Sequence, residues 1–91
     1  MARERLLDVS DLEPPAPLVD TLEAAETLAS GEYLRMVHRR DPCLLRDHLN
    51  QRGFGYITRS QEEGCVQTFI WRRGDAEAEA AARAVDKENS A

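Results

Sequence analysis

This sequence is short of the residues that carry most recognisable chemistry. It has two cysteines, Cys43 and Cys65, and two histidines, His38 and His48. Zinc sites want Cys or His in closely spaced pairs, and these four supply no two such pairs, so no metal is expected. The opening Met1-Ala2-Arg3-Glu4-Arg5 runs directly into Leu6-Leu7, too brief for a signal-peptide core. A cytoplasmic location is therefore expected, and the thiols read as free rather than paired. No apolar run approaches the roughly 20 residues of a membrane-spanning helix. With one lysine, eleven arginines and a net charge of −5, the chain lacks the basic field of a nucleic-acid binder. Neither nucleic acid nor membrane is expected as a partner. No glycine-rich phosphate loop surrounds Gly53-x-Gly55, and no serine sits in a G-x-S-x-G context. Spacing alone assembles no Cys–His or acid pair, so neither an enzyme nor a cofactor is expected.

What is present suits one small globular domain: 91 residues, 42% hydrophobic and 32% charged. Charge is unevenly spread. Residues 75–91 hold five acids against Arg83 and Lys87, a balance of −3 that leaves −2 of the total −5 for the rest. This alanine-rich segment has high helix propensity, but Val85 is its only apolar side chain larger than alanine. A helix this short is marginal without packing, so residues 74–91 are expected to be a frayed helix or a disordered tail.

Residues 6–9 read as a first strand. Pro14-Pro15-Ala16-Pro17 then makes a rigid entry to a helix, because proline is tolerated in a first helical turn. Leu18, Leu22, Ala25 and Ala29 recur at helical spacing, and Ser30-Gly31 ends that helix. Residues 32–38 are rich in β-favouring side chains and form a second strand. Asp41-Pro42 opens a short second helix with a stripe of Leu44, Leu45, His48 and Leu49, stopped by Gly53. Residues 54–59 and 65–71 are strands joined by a polar hairpin, Ser60-Gln61-Glu62-Glu63-Gly64. The last strand is apolar on both sides, with Val66 and Ile70 on one and Phe69 and Trp71 on the other.

The order β-α-β-α-β-β predicts an α/β (α+β) fold. Right-handed crossovers place both helices on one face of a four-stranded mixed sheet, giving a two-layer sandwich. The opposite face is then open, and Phe69 and Trp71 on it are candidates for an interaction surface. A half-covered Trp71 at the strand end, shielded by neighbours or the tail, is an equal alternative.

The opening Leu7-Asp8-Val9-Ser10-Asp11-Leu12-Glu13-Pro14-Pro15-Ala16-Pro17 resembles the start of TusA-like (SirA-like) sulfur carriers. Those run from Leu-Asp through a short strand to Gly-Leu-x-Cys-Pro-x-Pro and the first helix. Gly31-Glu32-Tyr33-Leu34 is similar to the same family's second strand. The resemblance covers residues 6–73 and implies the fold derived above. It also carries a departure: the family's persulfide-bearing cysteine falls on Pro14 and its glycine on Asp11. The degenerate motif Glu13, Pro14, Pro15, Pro17 resembles a cysteine-lacking, uncharacterised bacterial branch, which also tends to carry an Asp-Pro such as Asp41-Pro42. Proline offers no nucleophile, so the resemblance implies a binding domain without sulfur carriage. Its expected contact is a protein partner or homodimer, through the open sheet face or the first-helix entrance.

Cys43 is the candidate thiol. It is expected in the first turn of the second helix near Arg39 and Arg40, surroundings that lower a thiol pKa, with Asp41 opposing them. A sulfur-relay or redox role at Cys43 is the alternative function. Arg39-Arg40 and Arg72-Arg73 close strands, either as an anion site or as solvated strand ends.

Overall fold

The structure is a computed structural model that describes residues 3–10, 16–39, 43–60 and 66–89, with only the backbone described at 17, 43, 60, 88 and 89. In order, it contains β1 (Arg3–Asp8), α1 (Ala16–Glu26), β2 (Glu32–His38), α2 (Cys43–Arg52), β3 (Phe54–Ser60), β4 (Val66–Arg72) and α3 (Ala76–Asn89). The strands form one sheet in the order β1-β2-β4-β3. β1 runs parallel to β2, while β4 is antiparallel to both its neighbours. The α+β class, the mixed sheet and the order of the first six elements are as the sequence implies. However, α1 stops at Glu26, short of Ala29 and Ser30-Gly31, and Leu44 lies exposed rather than on the buried stripe of α2.

Side-chain alternation along the strands sorts the core into two clusters. From β2, Leu34 and Met36 join Ile70 of β4 and Phe54 of β3 under the inner sides of both helices, which supply Leu22, Ala25, Leu45 and Leu49. The crossovers thus put α1 and α2 on the same face. Tyr33, Phe69 and Trp71 point the other way and form a second cluster with Ala78 and Ala82 of α3.

The second cluster changes the layer count. The segment expected to be frayed or disordered is a 14-residue helix lying across β4 and reaching β2 and β3. It turns two layers into three and covers the face expected to be open. The cause is packing rather than propensity: Ala78 and Ala82, four residues apart, share one side of the helix and are both fully buried. Small side chains there let the helix come close to the aromatic rings. Asp75 supplies the N-cap, its Oδ1 accepting from the Ala78 amide at 3.1 Å, while its Oδ2 accepts from the Gly31 amide at 2.7 Å. One carboxylate therefore starts α3 and ties it to the turn between α1 and β2.

At the sheet edge where β4 ends, arginines gather on the C-terminus of α1. Arg72 donates from Nε to the Leu28 carbonyl at 3.1 Å and from Nη2 to the Glu26 carbonyl at 2.5 Å. Arg5 donates to Thr27 Oγ1 at 2.8 Å, and Arg52 pairs with the Glu26 carboxylate. The last carbonyls of a helix lack intrahelical partners and carry its negative end, so cations belong there. Arg73 donates to Asn50 Oδ1 at 2.7 Å. The Arg72-Arg73 pair is thus committed to helix ends and a side-chain amide rather than gathered as an anion site.

Candidate functional site

β1, β2 and β3 all point the same way, so their C-terminal ends and the start of β4 share one edge of the sheet. α1 and α2 each follow one of these strands and begin at that edge. Ligands of open α/β sheets bind outside the carboxyl ends of strands, where loops and helix N-termini converge. Among the described residues this edge is built from Asp8 at the end of β1 with Val9 and Ser10 beyond it, His38 at the end of β2 with Arg39 beyond it, and the start of α2.

The exit from β1 is fixed by its own carboxylate. Asp8 Oδ1 accepts from the Ser10 amide at 2.9 Å and from the Ser10 hydroxyl at 2.6 Å, closing an Asx turn. The Ser10 hydroxyl, and then its amide, hold the Asp8 carboxyl below its ordinary range. The Val9 amide bonds the Val37 carbonyl at 2.9 Å, so the strand pairing continues up to the turn. His38 pairs with Val66, and Val66 with Ser60, carrying the edge across to β3. The Asp-x-Ser spacing is a readable turn signal that the reading of this stretch as strand and proline entry passed over.

The candidate residues of the sequence fall in three places. Glu13, Pro14 and Pro15 lie outside the described residues, as do Cys65, Arg40, Asp41 and Pro42. Pro17 lies in the first turn of α1, and Cys43 is the first residue of α2, so both helix entrances start at this edge. His48 is half-buried on α2. Phe69 and Trp71 are elsewhere, at 0% and 4% exposure beneath α3. As an open interaction surface these two are corrected by the third layer, which the alanine-rich composition concealed.

Around Trp71 the packing is close. A Cβ at Gly55, its partner on β3, would stand 2.5 Å from the indole Nε1. Arg83 of α3 places its guanidinium 5.5 Å from the Trp71 ring centroid. At the far end of the helix, buried Asp86 takes a bidentate pair from Arg59 of β3, with Nε at 2.5 Å and Nη2 at 2.9 Å. That hydrogen-bonded guanidinium holds the Asp86 carboxyl below its ordinary value against the opposing effect of burial. Asp75 is likewise lowered, first by the Gly31 amide and then by the Ala78 amide. The sequence carries no local signal for Arg59, because its acid partner lies 27 residues away in the tail.

Among the described residues no three His, Cys, Asp or Glu side chains cluster as metal ligands, and no helix is long and apolar enough to cross a membrane. The family described as "Uncharacterized conserved protein (DUF2249)" matches residues 6–72, from β1 through β4. No curated protein and no solved structure gives a significant match.

Proposed function

The chain belongs to the family of uncharacterized conserved proteins DUF2249, and from that premise we propose that it is a non-enzymatic binding module of TusA-like type that docks a protein partner at its strand-end edge. The observation that carries this reading is the convergence of both helix entrances and three strand ends on one edge, with proline at position 14, where a sulfur carrier would present its thiol. A pyrrolidine ring cannot hold a persulfide, so position 14 offers shape and no nucleophile. Asp8 and Ser10 lock the approach to the edge.

A sulfur-relay role for Cys43 is the second reading, favoured by the start of α2 at that residue on the same edge. A thiol at a helix N-terminus is biased toward thiolate, the reacting form. One experiment separates the two. The purified chain is incubated with a cysteine desulfurase and cysteine, and each thiol peptide is weighed. The binding-module reading expects no persulfide on Cys43. A gain of about 32 Da on Cys43 and not on Cys65, one added sulfur on the thiol oxidation ladder, would replace it with the relay.

A further inference from the structure

The matched family region ends at residue 72, yet the second sheet face is covered by a helix from residues 76–89. Under that helix lie Tyr33, Phe69 and Trp71, three of the chain's five aromatic side chains, with Ile57 beside them. We propose that this face is a helix-docking site for an acidic, alanine-faced helix supplied in trans, and that α3 is its resident occupant in cis, a releasable strap. The proposal concerns a different surface from the strand-end edge and stands whether or not that edge binds a partner.

The way α3 is held carries the argument. Its fully buried contacts are two alanines, Ala78 and Ala82, with Ala81 and Val85 partly buried. Alanine adds little apolar area of its own, so most of the apolar surface that this helix removes from water belongs to the rings beneath it. Polar contacts hold its two ends in register over those rings: the Asp75 cap on the Gly31 amide, and Asp86 on Arg59. Between β4 and α3 the chain turns at Gly74, whose φ of 93° is one that glycine adopts without strain. A free helix of this length is marginal in water. Release would therefore melt α3 and expose a flat aromatic surface with Arg59 at one end.

That surface specifies its ligand. Small side chains at i and i+4 are needed to approach Phe69 and Trp71, and an acid one turn beyond the second of them is needed to meet Arg59. The short link gives α3 a high effective concentration, so a trans helix competes only when the strap is loosened.

The test uses full chains and the single tryptophan, Trp71, as the reporter. The probe is a labelled peptide with the sequence of residues 75–89. Two variants loosen the strap: Asp86→Asn, and Ala82→Asp, which sets a carboxylate against the rings while leaving the face intact. Both variants are expected to show red-shifted Trp71 emission that reverts on adding peptide. Both should bind the peptide at least tenfold more tightly than the unaltered chain does. A peptide carrying Asp86→Asn should bind neither variant detectably. Amide exchange should show α3 opening while β2 and β4 keep their protection. Equal peptide affinity in all three chains would overturn the proposal. So would loss of β2 and β4 protection together with α3, because α3 would then belong to one cooperative core.

Discussion

The indole of Trp71 lies against the backbone of Gly55, so closely that a Cβ at position 55 would stand 2.5 Å from Nε1 and 2.6 Å from Cε2. The two residues are direct partners across β3 and β4, and the missing side chain on one strand is the space occupied by the ring on the other. Gly55→Ala must therefore move the ring or bend the strand. Overpacking of this kind costs about 1 to 3 kcal/mol, measured by chemical denaturation with Trp71 emission as the signal. In a Trp71→Leu background, followed by circular dichroism, most of that cost should vanish. An equal cost in both backgrounds would place its origin in the strand backbone and not in the ring.

Arg72 joins the sheet to the end of α1. Its guanidinium bonds the carbonyls of Leu28 and Glu26 and stacks 5.5 Å from the Phe54 ring centroid. Arg72→Ala is expected to destabilise the fold by about 1 to 2 kcal/mol, from lost charged hydrogen bonds and an uncapped helix end. Arg72→Lys keeps the charge but not the planar two-carbonyl fork, and should recover less than half of the loss. Full recovery by lysine would mean that charge alone matters there.

How far the sequence discloses this molecule depends on the range of the signal. The order of the first six elements follows from periodicity and stop signals within ten or so residues, as in the stripe of Leu45 and Leu49 on α2. The same signals carry α1 past its end at Glu26 to Ser30-Gly31 and put exposed Leu44 on the buried stripe. Opposite orientation of Ile70 and Phe69 follows from strand alternation alone. The third layer does not, because alanines become a packing surface only opposite rings that lie close to a strand, and Gly55 is what keeps Trp71 close. Asp75 before an alanine run is a local cap signal, outweighed in the sequence by the lack of large apolar side chains after it. The partnership of Asp86 with Arg59 spans 27 residues and has no sequence pattern of its own. At the strand-end edge, the convergence of both helix entrances follows from the βαβ order, whereas the hydrogen-bonded Asp8 turn required coordinates.

The two carboxylates that hold α3 make its docking sensitive to acid. Asp75 and Asp86 both lie below the ordinary carboxylate range in the folded chain, so unfolding raises their affinity for protons. Their contribution is complete above the unfolded carboxylate pKa of about 4 and is lost as pH falls through the lower folded values. Stability followed from pH 7 downward should hold and then decline below about pH 4. Asp86→Asn should lower stability at pH 7 by about 1 to 3 kcal/mol, because Arg59 is only partly shielded and the pair lies between exposed and buried ranges. It should also flatten the acid decline. Parallel acid declines in the two chains would show that other groups, such as Asp8, carry the effect.

Thr21 is fully buried in α1, and among the described residues its hydroxyl has no hydrogen-bond partner. The side chain therefore carries a desolvated oxygen into the cluster of Leu22 and Ala25, with no described group to offset it. An unpartnered buried hydroxyl costs about 1 to 3 kcal/mol by mutational measures. Thr21→Val replaces that oxygen with a methyl of nearly the same shape and keeps the branching, so it should stabilise the chain by about 1 kcal/mol. Thr21→Ser retains the orphan oxygen and removes a buried methyl, and should fall below the unaltered chain. The order of denaturation midpoints, valine above threonine above serine, is the measurement. A valine variant below threonine would mean that the hydroxyl is satisfied in solution by a bound water or ligand, and would make this turn of α1 part of a polar site.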